Sequence, residues 1–210
     1  MRYTLQMIKH LSDIAIVMPG YSFRKALPDS NKGKVSVVQL RDIDDNQVIN
    51  WSTTTRTTLP ENARRSPNLL IKNDILFAAK GRNFKATFVS NSPVNKQTIC
   101  SPHFFHIRIN NPSIILPEYL AWFINHKQTQ QTIRKTGGSI VLTTVRKEVI
   151  EKLDVIIPPI EIQQQLINLE SIYQQEKMTL EKLISNRKKT LDLASQNLFQ
   201  IYQQKSEKCA

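Results

Sequence analysis

The sequence lacks the features that define several common protein classes. Its two cysteines, Cys100 and Cys209, are too few for a disulfide framework or a cysteine-based zinc site. No apolar run is long enough to cross a membrane, and no charged segment followed by an apolar one forms a leader. We therefore expect a cytoplasmic globular protein that has no membrane partner.

Catalytic signatures are missing as well. There is no glycine-rich phosphate loop, no nucleophile elbow and no Asn/Asp-Pro-Pro-aromatic motif of an amino-methyltransferase. One close histidine pair, His103 and His106, does not amount to a metal site, and Pro28-Asp29 is not followed by the Glu-x-Lys strand of a nuclease. We predict that the chain is not an enzyme and binds no metal.

Glycine and proline are absent from residues 161–202, directly after a Pro158-Pro159 break. Within this stretch mainly apolar residues recur at steps of three and four, the period of one helix face and of a coiled-coil seam. One irregularity, a stutter, lies between Arg187 and Leu191. The pattern predicts a long C-terminal helix with these seam positions: Ile162, Leu166, Leu169, Tyr173, Glu176, Leu180, Leu183, Arg187, Leu191, Ala194, Leu198 and Ile201.

Two of the seam positions, Glu176 and Arg187, are charged. If two copies of the helix packed antiparallel and crossed at its middle, the numbers of facing residues would sum to 363. Leu180 would then face Leu183, and Glu176 would face Arg187 of the other copy, so the polar positions would pair and set the register. We hypothesise a homodimer through this helix. The alternative is that the seam packs on its own domain or on another protein.

Positive charge is concentrated before the helix. The formal net charge is +12; residues 1–160 contain 22 basic and 11 acidic residues, a net of +11, whereas residues 161–210 contain 7 and 6, a net of +1. Nearly equal numbers of basic and acidic residues are typical of an exposed helix with paired charges. A strongly basic globular part indicates a nucleic-acid partner.

Strands precede most of the helices in the globular part. We predict strands at 35–40, 75–79, 84–90, 104–109 and 153–157, an extended segment at 51–58, and helices at 9–15, 117–135 and 145–152. The connection 80–83 forms a hairpin, and Thr144 caps the helix that follows it. This order favours an α+β fold with a mixed or antiparallel sheet. The predicted division is 1–158 as a globular domain, 159–204 as the long helix and 205–210 as a tail.

Four segments occur in an order that can be compared with known protein families. They are Leu70–Arg82 (LIKNDILFAAKGR), Pro117–Leu120 (PEYL), Thr136–Ser139 (TGGS) with Val145–Leu153 after it, and Val155–Gln165 (VIIPPIEIQQQ). Together they resemble one half of the DNA-specificity (S) subunit of type I restriction–modification systems, across essentially the whole chain. Such a half is a target-recognition domain followed by a conserved long helix. Full S subunits carry two of each, and this chain has one of each.

The resemblance implies a half subunit that homodimerises and reads an interrupted palindrome in double-stranded DNA. It would direct an adenine methyltransferase (M) subunit, and in a full complex an ATP-driven restriction (R) subunit, to the site. S-adenosylmethionine, Mg²⁺ and ATP would belong to those partners, so no cofactor is expected here. Alternatives are a truncated chain that works only with another subunit, a scaffold that binds DNA without reading sequence, and a standalone nuclease.

Candidate DNA contacts follow from position, because phosphates and base edges are bound by basic and amide or hydroxyl side chains. They lie in or after the hairpin connection, before an expected strand, and at a helix end with its glycine loop: Lys80, Arg82, Asn83, Lys85; Lys96, Gln97, Thr98; Arg134, Lys135, Gly138 and Ser139. Further candidates for phosphate contact are Arg64, Arg65, Arg24 and Lys25. The alternative for each basic residue is a solvated surface charge. Tyr21, Phe23 and Trp51 are expected to pack in the core, with stacking on DNA as the alternative.

Overall fold

The structure is a computed structural model that describes residues 7–23, 33–59, 66–81, 84–91, 97–136 and 144–208. The chain divides into two units, residues 1–164 (unit 1) and residues 165–210 (unit 2). The strands of the described part are β1 (Met7–His10), β2 (Ala15–Pro19), β3 (Val35–Val38), β4 (Thr55–Thr57), β5 (Ile75–Ala78), β6 (Ala86–Phe88), β7 (Gln97–Cys100), β8 (Phe104–Ile109) and β9 (Asp154–Ile157). Its helices are α1 (Leu11–Ile14), α2 (Pro117–Asn125), α3 (Lys127–Thr136), α4 (Lys147–Glu151) and α5 (Ile160–Lys208).

The strands form three sheets. An antiparallel four-stranded sheet has the order β2-β8-β5-β6, a three-stranded sheet has the order β4-β3-β7 with β3 and β7 parallel, and β1 pairs antiparallel with β9. Most helices follow the strands in sequence, and α5 runs for 49 residues at the C-terminal end. The α+β fold with mixed and antiparallel sheets and a long C-terminal helix is thus confirmed. Within the described residues, no helix is long and apolar enough to cross a membrane.

The core lies on both sides of β5. All four of its residues are buried, as expected for a short apolar run whose two faces are both covered. Phe77 of β5 stacks on Phe105 of β8 with ring centroids 6.5 Å apart. Trp51 packs against the core cluster that contains Leu76, and Tyr21 and Phe23 pack against the cluster of Val35, Val37 and Ile99. The expectation that these three aromatic residues belong to the core is confirmed.

A buried charge network closes one end of β5. The carboxylate of Asp74 accepts two hydrogen bonds from the Arg108 guanidinium, both at 2.8 Å, and lies 2.7 Å from Nε2 of His106. It also accepts the Ile71 backbone N–H at 2.7 Å. Burial opposes ionisation of Asp74, but the hydrogen bonds from Arg108, His106 and Ile71 outweigh it and lower the pKa of the carboxyl. His106, which we considered only as a metal-site candidate, is a fully buried partner of this carboxylate.

Local predictions of strands and helices needed several corrections. The helix expected over 9–15 is the four-residue α1, because Lys9 pairs with Val155 in β1–β9 and Ala15 pairs with Ile109 in β2–β8. The helix expected over 117–135 breaks at His126, whose backbone is extended (φ −61°, ψ 142°). The N-cap of α4 is Arg146. Thr144, the expected cap, forms an antiparallel bridge with Lys80 instead.

Two further corrections concern the ends of elements. Gln97 and Thr98, expected to precede a strand, lie inside β7, because their backbones pair with Val35 and Ser36 of β3. At the other end of the chain, α5 continues to Lys208 and takes in most of the segment 205–210 that was expected to be a tail. No glycine or proline stands there to stop it.

Candidate nucleic-acid interface

The hairpin connection lies at the end of β5. Ala78 donates its backbone N–H to the carbonyl of Lys85 at 2.8 Å, which closes the hairpin between β5 and β6. Gly81 has φ +112°, a backbone conformation that glycine adopts without strain. Lys80 is exposed and Lys85 half-buried at this connection. The predicted hairpin is confirmed; Arg82 and Asn83 lie outside the described residues.

The helices α2 and α3 are fixed to the same hairpin by side-chain amides. Asn125 accepts the backbone N–H of Ala86 at 2.8 Å and donates to its carbonyl at 2.7 Å, so it pairs with the outer edge of β6 as another strand would. Gln130 donates to the carbonyls of Phe84 and Ile124 at 2.7 and 2.8 Å. The break at His126 is therefore followed by a residue that satisfies the end of α2 and holds α3 against the hairpin.

Arg134 and Lys135 lie in the last turn of α3. The guanidinium carbon of Arg134 is 5.5 Å from the centroid of the buried Phe84 ring, which is a cation–π contact. Phe84 directly precedes Lys85 in the sequence. The segment that follows α3 re-enters the described structure at Thr144 beside Lys80, where Val145 N–H donates to Ala79 at 2.8 Å. The hairpin connection with Lys80 and Lys85 and the last turn of α3 with Arg134, which we predicted separately, thus lie close together. We call this part of unit 1 the hairpin edge.

A groove of about 220 Å³ runs along the hairpin edge. Its polar side chains come from the hairpin and from the loop 43–49: Lys80, Lys85, Thr87, Asp44, Asp45 and Gln47. The loop is closed by an Ile43–Ile49 bridge and by the Val48 N–H, which donates to Oδ1 of Asp44 at 2.8 Å. The Thr87 hydroxyl lies 3.1 Å from Oε1 of Gln47. Two lysines and two carboxylates therefore share one groove.

The remaining predicted contacts lie elsewhere in unit 1 or outside the described residues. Gln97 is exposed on β7 in the three-stranded sheet. Thr98 beside it is buried, with 1% of its surface exposed, so its hydroxyl is not available to DNA in this structure. The other candidates lie outside the described residues: Arg24, Lys25, Arg64, Arg65, Lys96, Gly138 and Ser139.

Several residues of the hairpin edge were not predicted from the sequence. Asn125 and Gln130 act by hydrogen-bonding to distant backbone groups, and such bonds leave no periodic signal. The loop 43–49 does contain a signal, the cluster Asp44-Asp45-Asn46 typical of a tight turn. That cluster predicts a turn but does not show what the turn lies beside.

Two buried ionisable side chains, Cys100 and Tyr119, have raised pKa values. Burial raises the pKa of the Cys100 thiol to about 12, which keeps it protonated and unreactive at neutral pH. Burial also raises the pKa of Tyr119 to about 12, and its hydroxyl donates to the carbonyl of Ile156 at 2.8 Å. Among the described residues, no three metal-ligating side chains form a group that could hold an ion. The arrangement at the hairpin edge can bind phosphates and base edges.

Comparisons with known proteins show the family and the fold. Residues 6–207 match the family model described as the type I restriction modification DNA specificity domain. No curated protein matches the chain. Among solved structures, the chain is similar to the HsdS subunit from Thermoanaerobacter tengcongensis (TM-score 0.65, 17% identity, 89% of this chain and 46% of that one).

Two further structures have the same fold. One is the S subunit of a type I restriction-modification system from M. genitalium (TM-score 0.54, 13% identity, 90% of this chain and 44% of that one). The other comes from a study of complex assembly and conformational transition of the type I R-M system (TM-score 0.58, 17% identity, 85% and 45%). The chain spans less than half the length of each of the three.

Proposed function

The chain belongs to the family of type I restriction–modification DNA specificity domains, and on that premise we propose that it is a sequence-specific DNA-binding specificity subunit. Residues 1–158 form its target-recognition domain, and residues 159–204 form the helix for dimerisation and partner docking. The protein has no catalytic role of its own. It directs an adenine methyltransferase subunit, and in a full complex a restriction subunit, to the target site.

The observation that carries this proposal is the hairpin edge. Lys80 and Lys85 line one groove, and Arg134, from a distant part of the sequence, lies over the ring of Phe84, the residue before Lys85, in a unit whose net charge is strongly positive. Such cations bind phosphates and fix the register of a protein on the duplex. Gln47 and the carboxylates of the groove supply the kinds of group that discriminate bases in the major groove.

Dimerisation through α5 is supported by the exposure of its seam. Leu169, Leu180, Leu183, Leu191 and Leu198 each expose more than half of their surface. A row of exposed leucines on one face of a helix calls for a partner surface, because burying each side chain contributes about 1.5–3 kcal/mol. A second copy satisfies both the leucines and the two charged seam positions, which face each other in the antiparallel pairing.

The dimer gives the proposed function its DNA target. Two identical recognition domains related by a two-fold axis require two identical half-sites in inverted orientation. The helix pair between them spans a stretch of DNA that is not read. The target is therefore an interrupted palindrome.

Selection from a randomised duplex pool tests the proposal. The purified protein is incubated with the pool near physiological salt, and its mass is measured in parallel. We expect an inverted repeat to be enriched by a dimer. A triple variant with Lys80, Lys85 and Arg134 changed to Ala should enrich nothing.

Other outcomes have clear meanings. A single asymmetric half-site enriched by a monomer would contradict the homodimer but would still support sequence-specific DNA binding. Salt-sensitive binding without any enrichment, also in the presence of the methyltransferase, would indicate a scaffold that does not read sequence. Cleavage of the pool after addition of Mg²⁺ would indicate a nuclease.

A further inference from the structure

Gln163 is fully buried in the first turn of α5, although most of the later residues of this helix are exposed. Its Oε1 accepts the backbone N–H of Leu116 at 2.8 Å. Its Nε2 donates to the carbonyls of Pro158 and Ile114, at 2.7 and 3.0 Å. Both N–H groups and the oxygen of the side-chain amide are therefore used.

These three hydrogen bonds join separate parts of unit 1. Leu116 is the N-cap of α2, Ile114 lies two residues before it, and Pro158 directly follows β9. Leu116 cannot bond to a preceding helical turn, and the two carbonyls lie outside regular structure, so none has a regular partner. A carboxylate at position 163 would keep only the acceptor, and an apolar side chain would leave all three backbone groups without a partner.

The neighbouring glutamines show that this role depends on position. Residues 163–165 are all glutamine, yet Gln163 is buried whereas Gln164 and Gln165 are exposed. Composition and helix propensity are identical across the run. Gln165 is therefore a matched control for any substitution at Gln163.

We propose that Gln163 is a positioning residue that fixes the first turn of α5 in unit 1 and thereby sets the spacing at which two half-sites are read. This inference rests on the proposed function, since it requires a two-fold dimer that reads DNA through both recognition domains. The physical reason is stiffness. Three hydrogen bonds at the base of a long helix suppress the bending that would let one dimer accept several spacings. Gln163 itself touches no DNA.

The test uses the full-length protein and duplexes that carry the half-site selected by the unchanged protein. Two copies of the half-site are inverted and their spacing is varied one base pair at a time, and a duplex with a single half-site serves as reference. Gln163→Leu is compared with Gln165→Leu and with the unchanged protein. We expect Gln163→Leu to bind the single half-site within about twofold of the unchanged protein. Its preference for the best spacing over the next should fall at least fivefold, and Gln165→Leu should keep that preference.

Hydrogen exchange of the backbone provides a readout that does not depend on DNA. Exchange in residues 160–166 should be at least tenfold faster in Gln163→Leu than in Gln165→Leu, because the first turn opens more often. If Gln163→Leu does not fold, Gln163→Glu replaces it, since this side chain keeps the size and the acceptor but loses both donors at neutral pH.

The outcomes separate the two proposals. If the unchanged protein binds all spacings equally, the proposal of a dimer that reads two half-sites is wrong. The proposed role of Gln163 is then wrong as well. If the unchanged protein prefers one spacing and Gln163→Leu keeps the same preference, only the role of Gln163 is wrong. Unchanged exchange in the first turn would overturn that role as well.

Discussion

Unit 1 and the part of α5 that lies in unit 2 differ in whether their side chains have partners. In unit 1 two buried polar side chains have several partners each: Asp74 binds Arg108 and His106, and Gln163 uses its whole amide. In α5 the side chain of Leu191 is 67% exposed, and within the described residues neither Glu176 nor Arg187 forms an ion pair. A helix with an unsatisfied face indicates a partner, and substitutions in the two regions should therefore affect different measurements.

The largest effect is expected inside unit 1. Asp74→Ala removes the buried carboxylate and leaves the Arg108 and His106 side chains and the Ile71 N–H without their partner. Breaking a buried charged network in this way costs about 3–5 kcal/mol of the free energy of unfolding. Urea unfolding measures the loss, and the exposed Asp45→Ala is the control that should change stability by less than about 0.5 kcal/mol. Equal midpoints for the two variants would mean that the network is not stabilising.

The same carboxylate gives a pH dependence of known sign. Because the pKa of Asp74 is lowered in the folded state, its contribution to stability is complete above its unfolded pKa of about 3.9. That contribution is lost as the pH falls through the folded-state pKa. Below about pH 4 the unchanged protein should therefore lose thermal stability more steeply than Asp74→Asn. Parallel curves for the two proteins would contradict this assignment.

The next effect belongs to α5 and should leave unit 1 intact. In the proposed dimer Leu180 faces Leu183 of the other copy, and symmetry makes every substitution count twice. Leu180→Ala should cost about 1.5 kcal/mol per side, so that dimer dissociation rises about 100-fold while the urea midpoint of unit 1 stays the same. Leu193→Ala is the control, since Leu193 is also more than half exposed but lies off the seam. Sedimentation over a concentration series measures the dissociation constant, and equal values for both variants would exclude this seam.

A smaller effect tests the register of the helix pair. Glu176→Arg would place two arginines opposite each other at both symmetric positions and should weaken the dimer roughly five- to tenfold at low salt. Adding Arg187→Glu restores opposite charges and should bring dissociation to within about threefold of the unchanged protein. Asp192→Arg, off the seam, controls for the change in net charge. A double variant that stays as weak as Glu176→Arg would contradict the antiparallel pairing.

Sequence predicted the parts of the fold whose signal is local. The strands β5 and β8 and the helix α5 are each specified by a continuous apolar or periodic run, and all three are found near their expected limits. What sequence could not give were elements that exist through distant pairing. The strand β1 forms because its backbone pairs with β9 at the other end of unit 1, and its own Ile8 remains 61% exposed.

The candidate site shows the same limit. The hairpin connection and the end of α3 were each found from basic residues beside a turn. That they share one edge depends on Asn125 and Gln130, whose amides bind backbone groups of the hairpin. The burial of Thr98 could not be predicted for a related reason, because it follows from the pairing of β7 with β3.

The hairpin edge is the part of unit 1 that behaves like α5, since neither Lys80 nor Lys85 forms an ion pair among the described residues. If phosphate is the missing partner, the pair of changes Lys80→Ala and Lys85→Ala should lower the salt dependence of DNA binding, by about 0.9 in the slope for each phosphate no longer neutralised, without changing dimerisation. Lys72→Ala, at the opposite end of β5, is the control. A salt slope equal to that of the control would mean that the two lysines are merely solvated.

The smallest effect, and the one of opposite sign, is expected for Asp45 in the same groove. An exposed carboxylate beside two lysines repels phosphate, so Asp45→Asn should raise affinity for unrelated duplex about twofold. If Asp45 accepts a hydrogen bond from a base amino group, the same change should lower affinity for the selected sequence, because the amide can present its N–H instead of an oxygen.

Glu148→Asn, which removes an exposed charge at α4 outside the groove, should raise both affinities equally. Equal rises for Asp45→Asn on both duplexes would reduce its role to electrostatic repulsion. A fall on the selected duplex alone would mark the loop 43–49 as a second reading element, the counterpart in unit 1 of the charged positions in the seam of α5.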